Sequence, residues 1–211
     1  MPRRSIDNVD KKLISILQEN GRTSLSDIGK QLGMSHVAVS KRLEKLVGKK
    51  LIQVTAAVNA EALDAKVLFV GLETESMEVV DLIEKKYAHC PRLLMLAPVT
   101  GRYNLFAVMV AEDTFSLESI LGTCSLRTEE GVRRSESWFG NAPVVPKYLQ
   151  IDLSPKSKKS GESPCGRFCR DCTRYISDKC VGCPSSDVYK GTLWASPLTK
   201  QKRRKKKKSK S

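Results

Sequence analysis

The 211-residue chain is 40% hydrophobic and carries a net charge of +14, from 37 Lys/Arg against 23 Asp/Glu. No stretch approaches the roughly 18 consecutive apolar residues of a membrane span, and Met1-Pro2-Arg3-Arg4 leads into a charged amphipathic pattern rather than an apolar signal core, so a cytoplasmic protein is expected. Residues 1–60 hold 11 Lys/Arg against 5 Asp/Glu, 61–153 hold 9 against 14, 154–199 hold 8 against 4, and 200–211 hold 9 against none, which places nucleic acid at the two ends and another role in the acidic middle.

Ile6, Val9, Leu13, Ile16 and Leu17 recur at helical steps, and Asn20-Gly21 ends that helix. Ser24 with Asp27 reads as a capping box for a second helix, inward through Leu25, Ile28 and Leu32. Gly33-Met34-Ser35 forms the turn. Ser35 caps a third helix with Val39, Leu43, Leu46 and Val47 inward and Val37, Lys41 and Lys45 near the opposite side. A short second helix, a glycine-bearing turn and a basic third helix is the geometry that lays a helix in the DNA major groove. A plain three-helix bundle shares the periodicity, but the turn, the caps and the sign of the exposed face favour DNA. Ser35, His36, Val37, Ser40 and Lys41 are the candidate base readers, Val37 suiting a thymine methyl. Arg42 and Lys45 are expected on phosphates. Ser24 starts a helix, where backbone N–H groups favour a phosphate.

Leu51 to Thr55 begins a strand-like passage out of this unit. Val67–Leu72 is an apolar β-rich run, and Ser76–Tyr87 is helical with Met77, Val80, Ile83 and Tyr87 on one face. Leu93–Ala97 reads as a strand, residues 100–104 as a turn and Leu105–Val110 as a strand. A helix from Thr114 to about Leu121 and a strand from Val132 to Phe139 follow. The order βαββαβ implies a ferredoxin-like antiparallel sheet with both helices on one face, making the chain α+β. The other face would stay apolar and uncovered, which implies a homodimer. The predicted divisions are a helix-turn-helix unit over 1–60, the ferredoxin-like unit over 61–153, a linker over 154–163, a cysteine-rich metal knuckle over 164–199 and a basic tail over 200–211.

Ile6-Asp7-Asn8-Val9-Asp10, Ile16 through Arg22, and Ser35 through Val39 to Arg42-Leu43 and Leu46 resemble the DNA-binding half of the Lrp/AsnC (leucine-responsive, feast/famine) regulators. Gly101-Arg102-Tyr103-Asn104-Leu105 and the run from Gly131 to Ser137 resemble their effector-binding, oligomerising domain. The resemblance covers residues 5–150. It implies a prokaryotic transcription regulator that binds double-stranded DNA, forms homodimers or higher oligomers and takes small effectors such as amino acids between subunits. Gly101, Asn104, Ser135 and Ser137 are the effector-binding candidates it suggests. The family's turn commonly carries Asp where this chain has Asn104, and an amide offers an ammonium group only neutral hydrogen bonds.

Five of the seven cysteines fall in Cys165-x3-Cys169-x2-Cys172-x7-Cys180-x2-Cys183. In a reducing compartment such clustering favours metal ligation over disulfides. Two Cys-x2-Cys pairs present four sulfurs, as a structural zinc requires, with Cys165 an alternative ligand. The same thiols, followed by Pro184, also suit an iron–sulfur cluster, and free or redox-paired thiols are a third reading. Cys90 and Cys124 read as lone buried residues without a role. No paired acid–base constellation or phosphate-cradling loop supports catalysis, and no enzyme is expected. Two rivals to a specific regulator are an iron–sulfur redox protein and a charge-driven architectural binder. Residues 200–211, with no apolar side chain, suit sequence-independent phosphate contacts.

Overall fold

The computed structural model describes residues 6–124, 126–155 and 162–195. The tail over 200–211 and linker residues 156–161 lie outside the described residues. Two compact units form, dividing between Ala56 and Ala57.

In the first unit, local capping sets three helices. Asp7 opens α1 (Asn8–Glu19) by accepting the Asp10 N–H at 2.7 Å, and the Asp10 carboxylate accepts the Asp7 N–H in return. Ser24 caps α2 (Leu25–Leu32) through the Asp27 N–H at 3.1 Å, and Gly33 ends it at φ 65°, a conformation natural to glycine. Ser35 caps α3 (His36–Gly48). Leu13, Ile28, Val39 and Leu46 are the buried centre. A β-carbon at Gly29 would stand 2.5 Å from the Met34 carbonyl oxygen, so α2 and the turn pack at backbone distance there.

Two expectations are corrected here. Val47 is 43% exposed rather than inward, because it sits about 80° around the helix from Val39, at the edge of the apolar stripe. Leu51 to Thr55 forms no strand; Leu51 and Ile52 instead pack half-buried against the helical core.

The second unit is built on one antiparallel sheet of β2 (Lys66–Thr74), β3 (Leu93–Pro98), β4 (Leu105–Ala111) and β5 (Val132–Gly140), ordered β3-β4-β2-β5. The helices α4 (Met77–Tyr87) and α5 (Thr114–Gly122) complete the βαββαβ order. Leu68, Val70, Leu72, Leu105, Ala107 and Met109 are packed with Val80, Ile83, Tyr87, Leu117 and Ile120 of the helices. Met77 was expected inward but is 55% exposed, again because it flanks the helix's buried stripe.

The opposite face is only partly open. Val110 is buried with Ala60, Ala65, Ile151, Tyr189 and Trp194, a second core that joins the C-terminal segment to this unit. β1 (Val58–Asn59) pairs with β6 (Tyr148–Leu149) beside it. Further along, the register puts Phe69 opposite Val108 and Trp138, and Met95 opposite Val108. These side chains share one face, on which Met95 and Trp138 are over 40% exposed and the Phe69 and Phe106 rings stand 6.5 Å apart. The uncovered face expected from the sequence is therefore a patch rather than a whole surface.

Candidate nucleic-acid interface and thiol cavity

The outer side of α3 carries His36, Val37, Lys41 and Lys45, all exposed and, among the described residues, without a side-chain hydrogen bond or ion pair. Ser24 and Ser35 cap their helices, so each hydroxyl oxygen is engaged with backbone (Asp27 N–H, Ala38 N–H) while remaining exposed. Ser40 donates to Glu44 at 2.8 Å and is half-buried, which sets it back from the exposed face.

Arg42, expected on phosphate, is held in an ion-pair cluster. Its guanidinium bonds Asp7 and Asp10 at 2.7 Å each, tying the middle of α3 to the start of α1. The Asp10 N–H first and the Arg42 hydrogen bond second hold the Asp7 carboxyl below its usual range. Both bonds come from the Nη1 nitrogen, and through them Arg42 braces the two helices.

The candidate effector residues lie on the two sides of β2, Gly101 and Asn104 toward β4 and Ser135 and Ser137 on β5. Gly101 has φ 149° in the turn. Asn104 is spent on Thr74: its Oδ1 accepts the Thr74 N–H at 2.8 Å and its Nδ2 donates to the Thr74 carbonyl at 2.9 Å. Ser135 and Ser137 pair with Leu72 and Val70 on the helix-covered face, and the Ser137 hydroxyl is buried without a hydrogen-bond partner. The strand β2 lies between them and β4. Tyr103 lies over Gly71, where a β-carbon would meet its ring at 2.7 Å, and its hydroxyl donates to Glu136. No sequence spacing signalled that contact.

The cysteine segment is docked on the second unit. Arg92, just before β3, pairs with Glu112 at 2.7 Å and donates to the Gly182 carbonyl at 2.9 Å, with both charged side chains under 10% exposed. The Arg92 guanidinium also lies 4.8 Å from the centre of the Trp194 ring. Ser119 of α5 donates to the Lys179 carbonyl, and Arg174 of the short helix α6 (Thr173–Ile176) donates to Ser119 at 2.6 Å.

Cys90, Cys124, Cys165, Cys169, Cys172, Cys180 and Cys183, every cysteine of the chain, line one cavity of about 230 Å³. Cys124 hydrogen-bonds Cys165, which holds the Cys165 thiol low and pushes its own up. Burial pushes Cys183 up to about 12 and Cys90 up to about 11. Backbone N–H groups of Cys183 and Gly182 point at the sulfurs of Cys169 and Cys180, at 3.3 and 3.4 Å. Among the described residues, no three His, Cys, Asp or Glu side chains are grouped to hold a single metal ion. Cys90 and Cys124, set aside in the sequence, belong to this cavity. Only the fold brings them there.

Residues 6–47 match the AsnC-type helix-turn-helix domain. The regulator LrpA of Pyrococcus horikoshii is 33% identical over 119 residues, covering 55% of this chain and 83% of that one. The regulator LysM of Saccharolobus solfataricus is 26% identical over 145 residues, 66% of this chain and all of its own length. Among solved structures, Escherichia coli AsnC superposes with a TM-score of 0.55 at 22% identity over 64% of this chain and 92% of its own. A Neisseria meningitidis regulator in complex with L-Met gives 0.56 at 19% identity, over 64% and 90%. These last two share the fold. With α3 presenting a basic outer face and the second unit built as βαββαβ, the chain belongs to the Lrp/AsnC family and is a DNA-binding transcription regulator.

Proposed function

We propose that this regulator reads double-stranded DNA with the first turns and outer face of α3, through Ser35, His36, Val37 and Lys41, with Lys45 and the start of α2 at Ser24 on phosphates. The observation that carries this is the division of α3 into a buried side (Val39, Leu46) and an exposed side whose cations have no partner among the described residues. Residues 200–211 add phosphate contacts that ignore sequence. The site of action is chromosomal DNA in the cytoplasm.

The second unit is the regulatory half. The patch of Phe69, Phe106, Met95 and Trp138 pairs two copies as a homodimer, since water contact with large apolar side chains is relieved by self-association. A small effector between subunits near the Gly101–Asn104 turn is one input, in keeping with the L-Met complex of the Neisseria regulator. A metal centre held by thiolates, with Cys169, Cys172, Cys180 and Cys183 as ligands and Cys165 beside them, is the other, its metal zinc or iron–sulfur.

Selection of bound sites from a random double-stranded library tests the reading. A preferred motif in two related half-sites is the expected result. Binding that depends on charge alone, without a motif, would replace the specific regulator by an architectural binder. Light scattering of the full chain is expected to give a dimer or larger, and a monomer at micromolar concentration would remove the pairing patch.

A further inference from the structure

The seven cysteines come from three separate stretches: Cys90 follows α4, Cys124 follows α5, and five lie between 165 and 183. Cysteines buried merely as small apolar residues have no reason to meet. Here all of them face the same cavity, whose remaining wall includes Met109, Ile120 and Tyr175.

We propose that this cavity seats a four-iron iron–sulfur cluster rather than one zinc ion, ligated by Cys169, Cys172, Cys180 and Cys183 and walled on its inner side by Cys90, Cys124 and Cys165. This rests on the reading of the segment as a thiolate metal centre and chooses its class. The first argument is shape. A single zinc draws four sulfurs to one point, about 2.3 Å from each. In this structure all seven thiols surround a volume. That volume is about 230 Å³, against roughly 10–15 Å³ of such space needed to hold one water. A single ion would fill little of it, whereas four irons and four sulfides bring eight heavy atoms and need four thiolates.

The second argument is the surroundings of the sulfurs. The N–H groups of Cys183 and Gly182 point at the sulfurs of Cys169 and Cys180. Hydrogen bonds to cluster sulfurs stabilise their negative charge and set the reduction potential. Arg92 and Arg167 also line the cavity, paired with Glu112 and Glu129 respectively. Transfer of a preassembled cluster from a thiolate-ligated donor breaks four Fe–S bonds there, forms four to Cys169, Cys172, Cys180 and Cys183, and passes the four thiol protons to the freed donor thiolates.

The inner wall gives the cluster a route to the rest of the unit. Cys90 and Cys124 end the two helices that cover the sheet, and Arg92 bonds Gly182 directly, so gaining or losing the cluster alters packing at both helix ends. Cluster occupancy is thereby an input to the regulatory half.

The test uses the full chain, produced with iron and zinc both supplied and purified without air or chelator. Iron, acid-labile sulfide and zinc are counted per chain, and the visible spectrum is recorded before and after reduction. About four irons and four sulfides, with broad visible absorption that bleaches on reduction, are expected. Cys172→Ser and Cys180→Ser are expected to lower the iron content by tenfold or more. Cys124→Ser is expected to keep the iron but lose it several-fold faster in air, because it thins the inner wall. One zinc per chain without iron overturns the cluster and leaves the thiolate metal centre standing. No metal at all overturns both. A Cys124→Ser cluster with unchanged lifetime in air overturns the part given to the inner wall.

Discussion

Arg92 and Glu112 form an ion pair in which the guanidinium is 5% exposed and the carboxylate 8%, and the same guanidinium holds the Gly182 carbonyl at 2.9 Å. One side chain thus joins the turn before β3, the residue after β4 and the cysteine segment. Arg92→Met strands a buried carboxylate and should cost about 3–5 kcal/mol, while Arg92→Met with Glu112→Leu should recover much of it. Both tryptophans, Trp138 and Trp194, lie in the second unit, so denaturant unfolding followed by their fluorescence reads this unit alone. Equal stability of Arg92→Met and the parent chain would show that the pair does not hold the segment.

Among the glycines of the first unit, Gly29 has the least room for a β-carbon. Gly29→Ala pushes a methyl toward the Met34 carbonyl and should destabilise that unit by about 1–3 kcal/mol. Helical circular dichroism should show an earlier first-unit transition while tryptophan fluorescence is unchanged. Unaltered melting of both signals would mean that the turn shifts aside at no cost.

Lys41 and Arg42 are neighbours with different expected effects. Lys41→Ala should reorder preferred sites, by about 1–3 kcal/mol at the affected base pair. Arg42→Ala releases Asp7 and Asp10 and should lower first-unit stability without reordering sites. Because the Asp10 N–H first and Arg42 second hold the Asp7 carboxyl low, its contribution is present above the ordinary carboxylate range and is lost as pH falls through its lowered folded value. Removing residues 200–211 should weaken all sites alike and flatten the salt dependence. Competition binding across several salt concentrations separates the three. Reordered sites in the tail deletion, with ranking kept in Lys41→Ala, would reverse the assignment.

Asn104→Asp replaces a donor by an acceptor opposite the Thr74 carbonyl, leaving that carbonyl unpaired and facing another oxygen. A loss of about 1–3 kcal/mol in the second unit is expected, again by fluorescence-detected unfolding. Unchanged stability together with an altered response to amino acids would instead assign Asn104 to ligand binding.

Much of this architecture was legible in the residues themselves. The caps at Ser24 and Ser35 and the apolar spacing of α1 to α5 act across three or four residues, so local order carries them. The βαββαβ order followed from strand and helix periods in succession, and that order leaves few topologies to choose from. What the tertiary structure alone decided concerns side chains whose partners are far along the chain. Arg42 meets Asp7 across 35 residues, Asn104 meets Thr74 across 30, and Arg92 meets Gly182 across 90. Helical or strand spacing says which way a side chain points, not what will be packed opposite it. Cys90 and Cys124 show the difference most plainly: each is solitary in sequence, and each becomes part of a seven-thiol wall only when α4, α5 and the C-terminal segment close on one cavity.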